Sequence, residues 1–233
     1  MSDPATVSAS AEWRGVLDRV RSLVTETVLD RGEQTLDRVV PACPDWSARD
    51  LLSHVVGLVA DVLDGDEPDD HNPGWTAAQV EARRGRTGAE LLEEWSGHAE
   101  AMVRYLDEQD ERPLGDAIIH EQDLRGALGR PGARDTAGLA AVRQAMAERL
   151  GAGLAASGDD RGPLALRAPG WTWSSGDGEP GAILEASGFD LFRAVVSRRT
   201  AAQLRSYVVA GDVTPYLDAF AQLGDLPDRE LPE

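Results

Sequence analysis

The chain of 233 residues contains no lysine; all 23 basic side chains are arginine. Chemistry that runs through a lysine Schiff base, or through the lysine of a phosphate-binding loop, is thereby excluded. Cysteine is nearly absent too. The single Cys43 has no partner for an internal disulfide and cannot build a thiolate metal cage alone. No stretch approaches the roughly 18 apolar residues of a membrane-spanning helix. Positive charge is outweighed, since 41 acidic residues leave a formal net charge of −18. Such a surface offers no basic face to displace counterions from nucleic acid or to settle on anionic lipid. The opening Met-Ser-Asp-Pro lacks the basic-then-apolar pattern of a secretion signal. A cytoplasmic protein that binds neither nucleic acid nor membrane is expected, as a monomer or homodimer.

With 42% hydrophobic residues the chain has ample material for a packed core. Trp13, Val16, Leu17, Val20, Leu23, Val24 and Val28 recur at spacings of three and four, which predicts a helix over 10–30 closed by Gly32. Pro41 and Pro44 keep 39–46 from being helical throughout. Ser47 and Asp50 then form a capping-box start for a helix ending at Asp64-Gly65. Residues 66–86 are acidic and weakly periodic, reading as a long loop with a short helix at 77–84, a kind of segment that often walls a pocket. One helix is predicted over 87–106, a fourth over 114–128 and an alanine-rich fifth over 136–156. Beyond Gly158 the texture changes to short runs bounded by glycine and proline. Strands are predicted at 164–167, 171–173 and 183–186, a helix at 189–199, a strand at 204–210 and a helix at 215–223. The fold class is therefore α+β: a helical bundle over 1–158 followed by a small α+β domain over 159–233.

Only four histidines are available: His54, His71, His98 and His120. Asp116 and His120 stand four apart, so both project from one helix face, a standard way to offer two metal ligands. A third ligand from a facing helix would leave the open positions that a catalytic metal needs. Asp123, three beyond His120, is placed to orient that imidazole. Spacing alone leaves plainer readings open. An acid and a histidine four apart also occur as a solvated side-chain pair, and His54 on an apolar stripe also reads as a hydrogen-bonded core histidine. His71 reads as surface, His98 as a packed polar residue, and Cys43 as a small loop residue with no histidine near it in sequence.

The stretch from Val40 to Gly57, with its proline, Trp46, Ser47, Arg49-Asp50-Leu51 and His54, resembles the second-helix motif of the maleylpyruvate isomerase-like branch of the DinB family. Asp116 to Leu124 is similar to that family's second motif, an acid followed four residues later by His and then by Asp. The resemblance covers most of 10–130 and implies a DinB-like four-helix bundle in which His54, Asp116 and His120 bind one divalent metal, zinc in the usual assignment. The family's acid is commonly glutamate, so Asp116 is one methylene shorter. The C-terminal part resembles, more distantly, the sterol-carrier-like domain of the isomerase branch. There an arginine in a Gly-Arg pair is associated with the active site, and the matching position here is Arg198, preceded by Ser197 rather than glycine.

The resemblance further implies a thiol-dependent enzyme. Mycothiol or a similar low-molecular-weight thiol would act as cosubstrate on a small electrophile such as maleylpyruvate, as an isomerase or an S-transferase. Arg198 would hold a substrate carboxylate. A non-catalytic metal-binding or regulatory bundle, and a bare helical scaffold, are the two other readings.

Overall fold

The computed structural model describes residues 8–68, 72–158 and 161–233; His71 lies outside them. The chain divides into two compact units, Met1–Ala133 with Pro232–Glu233, and Arg134–Leu231.

The first unit is a helical bundle. Helix α1 (Ala9–Arg31) starts at Ser8, whose hydroxyl accepts from the Ala11 amide, and ends at Gly32, whose amide bonds the Val28 carbonyl. It buries the expected stripe of Trp13, Val16, Leu17, Val20, Leu23 and Val24. A two-stranded antiparallel hairpin, β1 (Val39–Val40) and β2 (Cys43–Ser47), carries the prolines. Helix α2 (Ala48–Asp64) begins on the Ser47–Asp50 capping box and stops at Gly65 in the left-handed conformation. Then follow α3 (Pro73–Ala82), α4 (Gly88–Gly97), α5 (Ala99–Glu108) and α6 (Arg112–Leu128). Trp13 and Trp95 meet edge to face, 5.9 Å between centroids, both sealed from solvent.

Two elements of this unit differ from the sequence reading. The helix in 66–86 is longer and earlier than expected, because Asn72 caps it on the Trp75 amide and Pro73 occupies its first turn. The single helix expected over 87–106 is two, α4 and α5, meeting at His98. The Ser96 hydroxyl bonds the Leu92 carbonyl and Gly97 follows directly, a combination that bends helices.

The rotation of α6 is fixed by charge as well as by apolar packing. Glu121, only 2% exposed, receives Arg19 of α1 at 2.7 Å and Arg125 at 3.0 Å. Successive helical residues point about 100° apart. Glu121 held against α1 therefore leaves Asp116 and His120 on a different face, towards α2, with which α6 also packs.

The second unit is α+β. Helix α7 (Ala137–Ser157) precedes a four-stranded sheet of β3 (Leu164–Ala168), β4 (Trp171–Ser174), β5 (Ala182–Glu185) and β6 (Val208–Gly211), ordered β4-β3-β5-β6. The β3–β5 pair is parallel and the others antiparallel. Helices α8 (Gly188–Val195) and α9 (Ala201–Ser206) and a 3-10 segment (Thr214–Phe220) complete it. Trp171 and Trp173 of β4 donate their indole N–H groups to Gln144 and Glu148 of α7, which ties the sheet edge to that helix.

The expected domain boundary at 158 marks the change of texture, whereas the compact units part at 133/134. The difference is α7, which packs on α8 and on the 3-10 segment and so lies in the second unit. The expected strand over 204–210 is corrected to β6 preceded by α9. Thr200 and Gln203 form a reciprocal capping box that makes 201–206 helical. The last expected helix is the 3-10 segment.

Candidate metal centre

His54 of α2 and Asp116 and His120 of α6 converge. The His120 Nε2 lies 3.4 Å from Asp116 Oδ1, and the His54 Nε2 lies 3.7 Å from the same oxygen. The two imidazoles are 5.2 Å apart between centroids and nearly perpendicular, at 84°. One donor atom from each of the three residues falls within 4.8 Å of the other two. The site sits at the edge of the bundle core: side-chain exposure is 6% for His54, 12% for His120 and 24% for Asp116.

Each imidazole is oriented by a partner on its far nitrogen. The Asp123 Oδ2 lies 3.3 Å from His120 Nδ1, as the i, i+3 spacing suggested. A carboxylate only accepts, so Nδ1 holds its proton, and Nε2, facing Asp116, is the nitrogen that becomes bare when the ring is neutral. Gln79 Oε1 of α3 lies 2.7 Å from His54 Nδ1. The Gln79 amide nitrogen donates in turn to Asp61 Oδ2 at 2.7 Å. Trp46 lies on the His54 ring, 4.9 Å between centroids.

The charges are strongly coupled. Burial alone would lower the His120 pKa, but the Asp116 charge, its hydrogen bond and Asp123 outweigh that and raise it to about 9. Burial would raise the Asp116 pKa, and the two histidines hold it well below the usual carboxylate range instead. Asp116 Oδ2 is buried with no hydrogen-bond partner.

These distances fit a shared cation. Tetrahedral ligands about 2.0–2.1 Å from zinc stand about 3.3 Å from one another. Charge-assisted hydrogen bonds close to about 2.7–2.9 Å, and the two carboxylate–imidazole separations are both longer than that. Three converging donors with an orphaned carboxylate oxygen match an open three-ligand metal site. The shorter arm of Asp116 does not prevent convergence.

Gln79, Asp61 and Gly57 were not singled out by the sequence. Gln79 falls in the stretch with weak periodicity, and its place depends on Gly57. A Cβ at Gly57 would stand 2.5 Å from Gln79 Cβ and 2.8 Å from Arg83 Nη1. Only a glycine there lets α3 close on α2 far enough for Gln79 to reach His54. Arg83 then ties α3 to α4 through Glu94 at 2.6 Å.

The remaining candidates separate. His98 is half-buried at the α4–α5 junction, outside the cluster. Cys43 does have a histidine near it in space. Its Sγ lies 3.9 Å from Asp123 Oδ2, and a second donor group unites Cys43, His120 and Asp123. Arg198 belongs to the second unit, where it is 6% exposed and its Nη1 donates to the Val196 carbonyl at 3.0 Å. The residue before it explains the missing glycine. Ser197 adopts φ +61°, in the left-handed region that favours glycine. Its hydroxyl donates to the Phe220 carbonyl at 2.8 Å and accepts from the Leu223 amide at 2.9 Å, which holds the conformation.

No helix is long and apolar enough to cross a membrane among the described residues. No curated protein matches the chain. A crystal structure of a histidine-to-alanine mutant of mycothiol-dependent maleylpyruvate isomerase is similar at 11% identity, over 84% of this chain and 92% of that one, with a TM-score of 0.49. The sequence model of the mycothiol maleylpyruvate isomerase N-terminal domain matches residues 13–125, a span that contains His54, Asp116 and His120. Over that span the chain is similar to the mycothiol maleylpyruvate isomerase N-terminal domain family.

Proposed function

We propose that the protein is a divalent-metal, thiol-dependent enzyme, an isomerase or S-transferase that uses mycothiol or a similar small thiol on a small electrophile of the maleylpyruvate kind. The observation that carries this reading is that His54 Nε2 and His120 Nε2 lie 3.7 and 3.4 Å from the same Asp116 oxygen, with both Nδ1 positions committed to outer partners. His54, Asp116 and His120 would hold the cation, with zinc the natural choice for two imidazoles and a carboxylate. The similarity of residues 13–125 to the mycothiol maleylpyruvate isomerase N-terminal domain supports the thiol.

When bound, the cation supplies Lewis acidity that lowers the pKa of a coordinated thiol from its free value of about 8.5, giving a nucleophile at neutral pH. The chain's own residues do the rest. Asp123 and Gln79 keep the two imidazoles in one tautomer and orientation, and Asp116 adds the negative charge. As an isomerase, the thiolate sulfur adds to one carbon of a conjugated double bond, the resulting single bond rotates, and the same carbon–sulfur bond breaks to return the thiolate. As an S-transferase, the carbon–sulfur bond persists and a leaving group departs with the electron pair. Arg198 is proposed, on the family resemblance, as the anchor for a substrate carboxylate. Cys43 has no step to perform, and an external thiol fills the nucleophile's role.

The test is turnover of maleylpyruvate and a panel of related electrophiles by zinc-loaded protein, with and without mycothiol. Thiol-dependent turnover, abolished in His120→Ala and kept within about twofold in Cys43→Ser, is the expected outcome on the reasoning that only the metal ligands support the thiolate. Full turnover without thiol, or loss of turnover in Cys43→Ser with fold and metal retained, overturns the mechanism.

A further inference from the structure

We infer that Gln79 and Asp61 form a positioning chain whose direction fixes which nitrogen of His54 faces the site. The inference deepens the proposed metal site and rests on it only for the affinity measurement below. Three residues make the chain: Asp61 Oδ2, 2.7 Å from Gln79 Nε2, and Gln79 Oε1, 2.7 Å from His54 Nδ1. Gln79 is 2% exposed and His54 4% exposed.

The direction follows from donor counting. A carboxylate accepts and never donates, so Asp61 requires the NH2 end of the Gln79 amide. The amide oxygen is then left facing His54, and an oxygen can only accept. His54 must therefore carry its proton on Nδ1, which leaves Nε2 bare on the side of Asp116 and His120. A glutamine alone could not impose this, because its amide turned end for end would donate to Nδ1 and put the proton on Nε2. The information lies in Asp61, two hydrogen bonds away from the donor atom it controls. The two imidazoles of the site thus reach one tautomer by different routes, His120 from a carboxylate directly and His54 from a carboxylate through a neutral amide.

Asp61→Asn keeps the shape and removes the instruction, since an amide at 61 can donate or accept. The partner change Gln79→Glu places an acceptor-only group between two donors and restores the direction. Asp61→Asn alone is therefore expected to weaken zinc binding, and Asp61→Asn with Gln79→Glu to recover it.

The experiment has two arms. In the metal-free protein, long-range proton–nitrogen correlation spectra of the imidazoles report the His54 tautomer. In a chelator competition, zinc affinity is measured for wild type, Asp61→Asn and the double variant. Expected are a proton on Nδ1 in wild type, a mixed tautomer and about tenfold or greater loss of affinity in Asp61→Asn, and recovery of both in the double variant. A purely packing role for Gln79 would move neither reading in the isosteric Asp61→Asn. A proton on Nε2 in wild type, an unchanged tautomer in Asp61→Asn, or unchanged affinity on a changed tautomer overturns the inference. If wild type takes up no zinc, the metal reading fails by itself, and the tautomer arm still decides the direction of the chain.

Discussion

Substituting Gly57 by alanine should destabilise a helix that alanine normally favours. In a helix interior, Gly→Ala is worth about 1 kcal/mol of stabilisation. At this position the added methyl would stand 2.5 Å from Gln79 Cβ and 2.8 Å from Arg83 Nη1. Carbon atoms rest about 3.5–4.0 Å apart, so α3 must retreat by about 1 Å. The Arg83 end is flexible and gives way; the Gln79 Cβ is fixed to the backbone and does not. A retreat of that size stretches the 2.7 Å contact of Gln79 with His54 past hydrogen-bonding range. Overpacking costs about 1–3 kcal/mol, and a buried polar group left unpaired costs about 1–3 kcal/mol. Against the helix gain, the net expectation is a loss of about 1–5 kcal/mol. Denaturant unfolding of Gly57→Ala measures that loss, and zinc competition measures an accompanying tenfold or so weakening. A variant more stable by about 1 kcal/mol with unchanged zinc affinity would refute the close-approach argument, since that is what helix propensity alone delivers.

Two further outcomes follow from the same geometry. Ser197→Ala leaves the Phe220 carbonyl and the Leu223 amide without the hydroxyl that now joins them, while the left-handed backbone stays strained. It should lose about 1–3 kcal/mol in chemical denaturation, and Ser197→Gly should lose less because glycine relieves the strain. The metal-free protein should also lose stability with rising pH. The folded His120 pKa, about 9, lies above its ordinary 6.5. Its contribution, on the order of 3 kcal/mol, is therefore fully present below about 6.5 and lost as pH rises through about 9. Asp116, shifted down, contributes in the opposite sense, present above the ordinary carboxylate range and lost as pH falls. Urea midpoints between pH 6 and 9 read the slope. A flat profile would show that His120 and Asp116 are not coupled as described, and zinc loading should remove the slope because Nε2 must then be bare and the rings neutral.

Much of this was legible in the residues because the relevant signals are local. The α1 stripe, the Ser47–Asp50 box and the Asp116–His120–Asp123 face are all periodic features within one or two turns, and the structure places them as read. What escaped depends on approach between distant segments. Gln79 matters only because Gly57, 22 positions earlier, carries no side chain. Cys43 lies beside Asp123 through an 80-residue separation that no spacing argument spans. The helical start at Thr200–Gln203 was a local signal, overridden by the β-branched run that follows it. The texture change at 158 is real, yet the helix before it packs with the sheet after it, and composition carries no record of which partner a helix chooses.

The central claim, that His54, Asp116 and His120 hold one divalent cation, is tested most directly by metal analysis of protein purified without a histidine tag. After zinc loading and exhaustive dialysis, wild type should retain about one equivalent, while His54→Ala, Asp116→Ala and His120→Ala each fall to a small fraction of that while remaining folded. Retention of a full equivalent by His120→Ala, or no zinc retained by folded wild type, would contradict the account.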